Sequence, residues 1–124
     1  MPTTLKDMLD RANAAVPRLD GAQVRELAKR GDVLFVDVRD EPEVKASGKI
    51  KGAVHVPRGM LEFRADPESP YYDRSLERDR TLVLYCASGG RSALSGKTLQ
   101  DLGYAKVYNG GAFKDLAAAG LETE

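Results

Sequence analysis

The sequence predicts an α/β fold: one doubly wound, mainly parallel sheet of about five strands with helices on both faces. Three observations predict it. The runs Val33–Val38 and Thr81–Tyr85 are almost continuously apolar, as strands covered on both faces must be. Stretches with a helical period alternate with such runs, the order that builds parallel crossovers. A length of 124 residues leaves room for one hydrophobic core and not two.

Each element follows from a local pattern. Leu5, Met8, Leu9, Ala12 and Val16 form one apolar stripe at helical spacing. Thr4 and Asp7 make a capping-box-like start and Pro17 a stop. This helix, within residues 1–16, is expected to precede the domain proper, residues 17–124. A second helix is expected from Asp20, a good N-cap, to Arg30, with Val24, Leu27 and Ala28 inward and Gly31 as its end. The first buried strand, Val33–Val38, comes next, then a short strand candidate at Ala53–Val56. Thr81–Tyr85 leads into a helix from about Ser92 to Leu102, which Gly103 ends. Lys106–Tyr108 reads as a last short strand and Ala112–Ala119 as a closing helix. Residues 58–80 form a long charged connection with Pro67, Pro70, Tyr71 and Tyr72, of a length that usually serves function or covers something.

Composition removes several function classes. Lys+Arg and Asp+Glu number 19 each, so the formal charge is zero. That balance predicts neither a nucleic-acid partner nor a charge-driven membrane partner. No apolar run approaches the roughly 18 residues that cross a bilayer, and Lys6, Asp7, Asp10 and Arg11 interrupt any signal-peptide pattern. A single Cys and a single His allow neither an internal disulfide nor a zinc site built from those residues. A cytoplasmic location is expected, where a lone thiol is either inert packing or a reactive group.

The chemistry concentrates in Cys86-Ala87-Ser88-Gly89-Gly90-Arg91-Ser92. This segment leaves a buried strand and enters a helix, which places Cys86 at the carboxyl edge where open α/β sheets hold ligands. The two glycines let the backbone curl and turn successive N–H groups inward as an anion nest, with the helix N-terminus behind them. A thiol there has a lowered pKa, and an anion on its sulfur is held by the same donors. An ordinary strand end needs no Gly-Gly-Arg turn, so a packed, inert cysteine is the weaker reading. Two chemistries suit a thiolate in such a nest. Phosphoryl transfer in cysteine phosphatases and arsenate reductases uses Cys-x5-Arg, which would require Arg at position 92, where Ser92 stands. The loop is instead Cys-x4-Arg, a tighter cradle that suits a sulfur atom carried on the cysteine.

The chain resembles the single-domain rhodaneses, which are sulfurtransferases. The resemblance rests on Cys86, Gly89, Arg91 and Ser92 of the pattern Cys-x-x-Gly-x-Arg-Ser, on Asp37-Val38-Arg39, Glu43, Gly48 to Ala53 and Pro57 upstream, and on Leu102-Gly103-Tyr104, Val107 and Gly110-Gly111 downstream. It covers roughly Pro17 to Leu121. Lys49 stands where the family commonly has His, and Leu116 or a neighbour where it has Trp; neither touches the loop. The resemblance implies a two-step transfer without metal or organic cofactor. Cys86 takes sulfane sulfur from a small donor such as thiosulfate or a persulfide, and a thiol or cyanide acceptor removes it. Backbone N–H groups from Ala87, Ser88, Gly89, Gly90, Arg91 and Ser92 would stabilise the persulfide. With no second thiol in the chain, the acceptor must be external. The other readings are a phosphatase or arsenate reductase, and a non-catalytic docking module on the same fold.

Four further residues bear on the site. Arg39 could bind an anionic donor, but its spacing to Glu43 favours a structural ion pair. Arg58 could face the Cys86 edge or lie on a solvated surface. Asp37 reads as a loop-tethering acceptor and His55 as a hydrogen-bonded rim histidine. Gly96-Lys97-Thr98 imitates the tail of a phosphate-binding loop, but the first glycine it needs would be residue 91, which is Arg91.

Overall fold

The computed structural model describes residues 2–124. Its elements run α1 (Leu5–Ala15), α2 (Gly21–Lys29), β1 (Val33–Asp37), α3 (Glu41–Ser47), β2 (Val54–His55), α4 (Leu61–Ala65), β3 (Thr81–Cys86), α5 (Gly90–Asp101), β4 (Val107–Ala112) and α6 (Phe113–Ala118). The sheet is parallel, in the order β2-β1-β3-β4. It has four strands rather than about five. The fifth place, outside β4, holds only a parallel bridge between Arg18 and Asn109. Pro17 has no N–H to extend that pairing, and Asp20 at once caps α2, so the chain touches the sheet and leaves it.

Alternation along β1 and β3 splits the core in two. Leu34, Val36, Leu82, Leu84 and Cys86 point to one face, where Val16, Leu61 and Leu99 meet them. Phe35, Val83 and Tyr85 point to the other, against Val24 and Leu116. Both faces are therefore dry, which is why these strands read as unbroken apolar runs. Cys86 belongs to the face covered by α4 and α5.

The expected boundaries shift for local reasons. The helix expected at Ser92 begins at Gly90, because Gly89 adopts φ +102° and turns the chain straight into its first turn. The strand expected to end at Tyr108 continues to Ala112, since Gly110 is bulged out between the pairs Leu84–Asn109 and Tyr85–Gly111. The 58–80 connection contains a 3₁₀ turn and α4, and Tyr72 and Leu76 pack from it onto the core. Tyr71 stays exposed, edge-on to Phe63. Gly96-Lys97-Thr98 lies in mid-α5. Among the described residues no helix is long and apolar enough to cross a membrane.

Candidate active site

β3 ends on Cys86, and Ala87 and Ser88 form an exposed rim above it before Gly89 starts the turn into α5. Cys86 itself is buried, the floor of the loop. The Gly89 N–H donates to Sγ at 3.0 Å and the Ser92 hydroxyl lies 3.4 Å from it. Burial by itself pushes the thiol up. Hydrogen bonds from the Ser92 hydroxyl and from the backbone N–H groups of Ser92, Ser88 and Gly89 together outweigh it, and the thiol falls below its ordinary value.

Behind the loop stands Asn109, a buried residue of β4 that the sequence reading passes over. Its Nδ2 donates to the Gly89 carbonyl at 3.0 Å, and its Oδ1 accepts from Gly111 N–H at 2.9 Å and from the Ser92 hydroxyl at 2.7 Å. Asn109 thus ties the turn, the first helical turn and the end of β4 into one unit. Ser92 has one hydroxyl proton and faces two acceptors, Cys86 Sγ and Asn109 Oδ1.

The arginines sort differently from expectation. Arg39 does not pair with Glu43. It is only 4% exposed and forms a fork with Asp37, Nη2 to Oδ2 at 2.7 Å and Nε to Oδ1 at 3.0 Å. Its remaining donors reach Ser47 Oγ and the Gly48 carbonyl, and its guanidinium lies 4.3 Å from the Phe113 ring centroid. Four of its five N–H donors are thus held by the protein, and the group is buried, so Arg39 acts as an internal tether. Asp37 does tether the loop after β1, also accepting from Arg39 N–H at 3.0 Å. Glu43 instead takes Arg91, in a two-pronged pair of 2.7 and 2.8 Å that holds its carboxyl down at about 2. The loop arginine therefore faces α3, not the cradle. Arg58 bonds Glu62 at 3.0 Å and Thr98 at 3.3 Å, so its side chain is drawn along α5, away from the loop. His55 is a hydrogen-bonded rim residue, Nε2 to the Arg39 carbonyl at 2.7 Å.

A buried thiol at a parallel strand's carboxyl end, under a turn of N–H donors, is the arrangement that a family match has to account for, and one does. Residues 20–117 match the rhodanese-like domain. The chain belongs to the rhodanese-like family. Among curated relatives, this rhodanese-like domain is 34% identical to a sulfurtransferase of Allochromatium vinosum over 68% of the chain and 71% of the relative. It is 29% identical to the thiosulfate sulfurtransferase PspE of Escherichia coli over 67% and 73%. Against the tRNA uridine(34) hydroxylase of Acinetobacter baumannii it is 36% identical but spans only 31% of that protein. A solved structure from Rhodopseudomonas palustris, a protein of unknown function described as a possible tyrosine phosphatase, superposes with a TM-score of 0.88 at 43% identity, covering 100% of this chain and 99% of that one. The polysulfide-sulfur transferase homodimer of Wolinella succinogenes gives 0.74 at 31% identity over 96% and 85%.

Proposed function

We propose that this rhodanese-like domain is a sulfurtransferase that moves sulfane sulfur from thiosulfate, or a donor of that class, to a thiol or cyanide through a Cys86 persulfide. One observation carries the reading: the only thiol of the chain sits in a turn of N–H donors, with Gly89 N–H 3.0 Å from Sγ. In the first step the Cys86 thiolate attacks the sulfane sulfur. The Sγ–S bond forms, the bond from that sulfur to the sulfonate breaks, and sulfite leaves with the electron pair. In the second, cyanide or a thiolate attacks the outer sulfur and returns Cys86 as thiolate. Neither step needs an oxidant, because each displacement moves one sulfur atom between nucleophiles. The same N–H groups that favour the thiolate stabilise the persulfide anion. The relatives that act on thiosulfate and polysulfide sulfur support this substrate class. A lone free thiol suits a reducing compartment, which supports a cytoplasmic location.

The phosphatase description of the Rhodopseudomonas protein favours a second reading. Against it, Ser92 stands where a phosphatase loop needs its arginine, and Arg91 is held by Glu43.

The test is intact mass after incubation with thiosulfate, beside a Cys86→Ser control. A gain of one sulfur, absent from the variant and released by cyanide as thiocyanate, is expected. No gain with any sulfane donor, together with Cys86-dependent hydrolysis of an aryl phosphate, overturns the proposal.

A further inference from the structure

Thiosulfate chemistry has an electrostatic problem at this site. A thiolate must come within bonding distance of a dianion, and like charges in a partly buried pocket repel strongly. Backbone N–H dipoles offset part of that charge, and a whole cation beside the loop would offset more. The three arginines placed around the site above are engaged: Arg39 with Asp37, Arg91 with Glu43, Arg58 with Glu62.

One guanidinium at the loop is not engaged. Arg18 reaches the carboxyl edge from the chain that bridges β4, and its guanidinium lies against two glycines of positive φ, Gly89 of the cysteine turn and Gly111 at the end of β4. A Cβ on Gly89 would meet Arg18 Nη1 at 2.8 Å, and one on Gly111 would meet Nη2 at 2.5 Å. The absence of side chains at both positions makes the room that the guanidinium fills. Gly89 is also the residue whose N–H donates to Cys86 Sγ. Arg18 is exposed and has no ion pair or side-chain hydrogen bond among the described residues. It borders a cavity of about 640 Å³ that Asp20 and Asp115 also line, but neither carboxylate pairs with it. Asp20 Oδ1 instead accepts from Gln23 N–H, capping α2. Arg18 lies outside residues 20–117, the part that matches the family.

We infer that Arg18 is the anion-recognition residue of this site, holding the sulfonate end of a thiosulfate-class donor while Cys86 attacks its sulfane sulfur. The inference rests on the sulfurtransferase reading and adds to it a residue and a donor charge. A guanidinium fork can engage two oxygens of a sulfonate as it does two of a carboxylate or phosphate, and this one lies against Gly89, whose own N–H holds Sγ.

Two measurements on Arg18→Gln, Arg18→Lys and the charge control Arg11→Gln test it. In steady-state ping-pong kinetics, Arg18→Gln is expected to lower kcat/KM for thiosulfate about tenfold through a raised KM. Its kcat/KM for cyanide, which is mostly uncharged HCN near neutral pH, is expected to stay within about twofold. Arg18→Lys should recover part of the loss and Arg11→Gln should show none. Independently of sulfur chemistry, the ratio of Cys86 alkylation by iodoacetate to that by iodoacetamide should fall severalfold in Arg18→Gln alone. An unchanged ratio with unchanged thiosulfate kinetics overturns the role of Arg18, and so does a loss confined to the acceptor step. Should the parent protein take no sulfur from thiosulfate, the sulfurtransferase reading fails, while the alkylation ratio still decides whether Arg18 guides anions to Cys86.

Discussion

Removing the Ser92 hydroxyl should raise the pKa of Cys86. In Ser92→Ala the thiolate keeps the Gly89 N–H at 3.0 Å but loses the donor 3.4 Å away. A hydrogen bond to a charged group contributes about 1.5–3 kcal/mol. This one belongs at or below the low end, because sulfur is a weak acceptor and the hydroxyl is shared with Asn109 Oδ1 at 2.7 Å. At about 1.4 kcal/mol per pKa unit, the loss corresponds to a rise of about one unit. The thiolate fraction at a pH below the midpoint then falls about tenfold. The pH dependence of Cys86 alkylation by iodoacetamide, followed by intact mass, reads the midpoint directly. The lowered thiol also couples to folding: its contribution is complete above the ordinary thiol range and is lost as pH falls through the lowered value. Ser92→Ala should flatten that dependence. A midpoint that stays put or falls refutes the reasoning, since it would mean that the Ser92 hydroxyl goes on donating to Asn109 Oδ1 and never donates to the sulfur.

Three other perturbations bear on the scaffold around the loop. Glu43→Gln should cost about 1 kcal/mol in a denaturant titration at pH 7, a modest figure because both partners are about one third exposed, 35% and 34%. The cost should vanish as pH drops from the ordinary 4.5 toward about 2, where the parent's own Glu43 takes up its proton; a deficit that persists at pH 2 would rule out the ion pair as its source. Asp37→Ala leaves the buried Arg39 guanidinium without its carboxylate and should cost about 3–5 kcal/mol, read as a lowered unfolding midpoint. Gly96→Ala puts a methyl 2.9 Å from Val16 Cγ1 and 3.3 Å from Val107 Cγ1 in the seam between α1 and α5. Overpacking of about 1–3 kcal/mol should outweigh the roughly 1 kcal/mol that alanine brings to a helix; a stabilised variant would show that the seam yields freely.

What the sequence made legible was what depends on neighbours in the chain. β1 and β3 are readable because both their faces are covered, so Leu34 to Val36 and Leu82 to Cys86 are apolar without a break. The cysteine turn is readable because its donors, its glycines and its helix are contiguous. α3 escaped notice for the opposite reason: it buries no residue, so it has no apolar stripe, only Pro42 in its first turn and a bond from Asp40 N–H to Glu43. Pairing at the site depends on the sheet and could not be read from spacing. Arg39 and Glu43 stand four apart and look matched. Yet β1 and β3 lie side by side, with Asp37 opposite Tyr85, and this delivers Glu43 to Arg91 across the gap between α3 and α5. Arg39, left behind, folds back onto Asp37 beneath Phe113. That exchange of partners matters for the chemistry. An arginine one residue later in the loop would be the anion clamp of a phosphatase; Arg91, turned outward and held by Glu43, is a brace that fixes the curvature of the N–H turn. A site whose own arginine is a brace has room for sulfur but lacks a mobile cation for the donor. Arg18, seated against Gly89 and Gly111 from outside the cysteine loop, stands where that missing charge is needed.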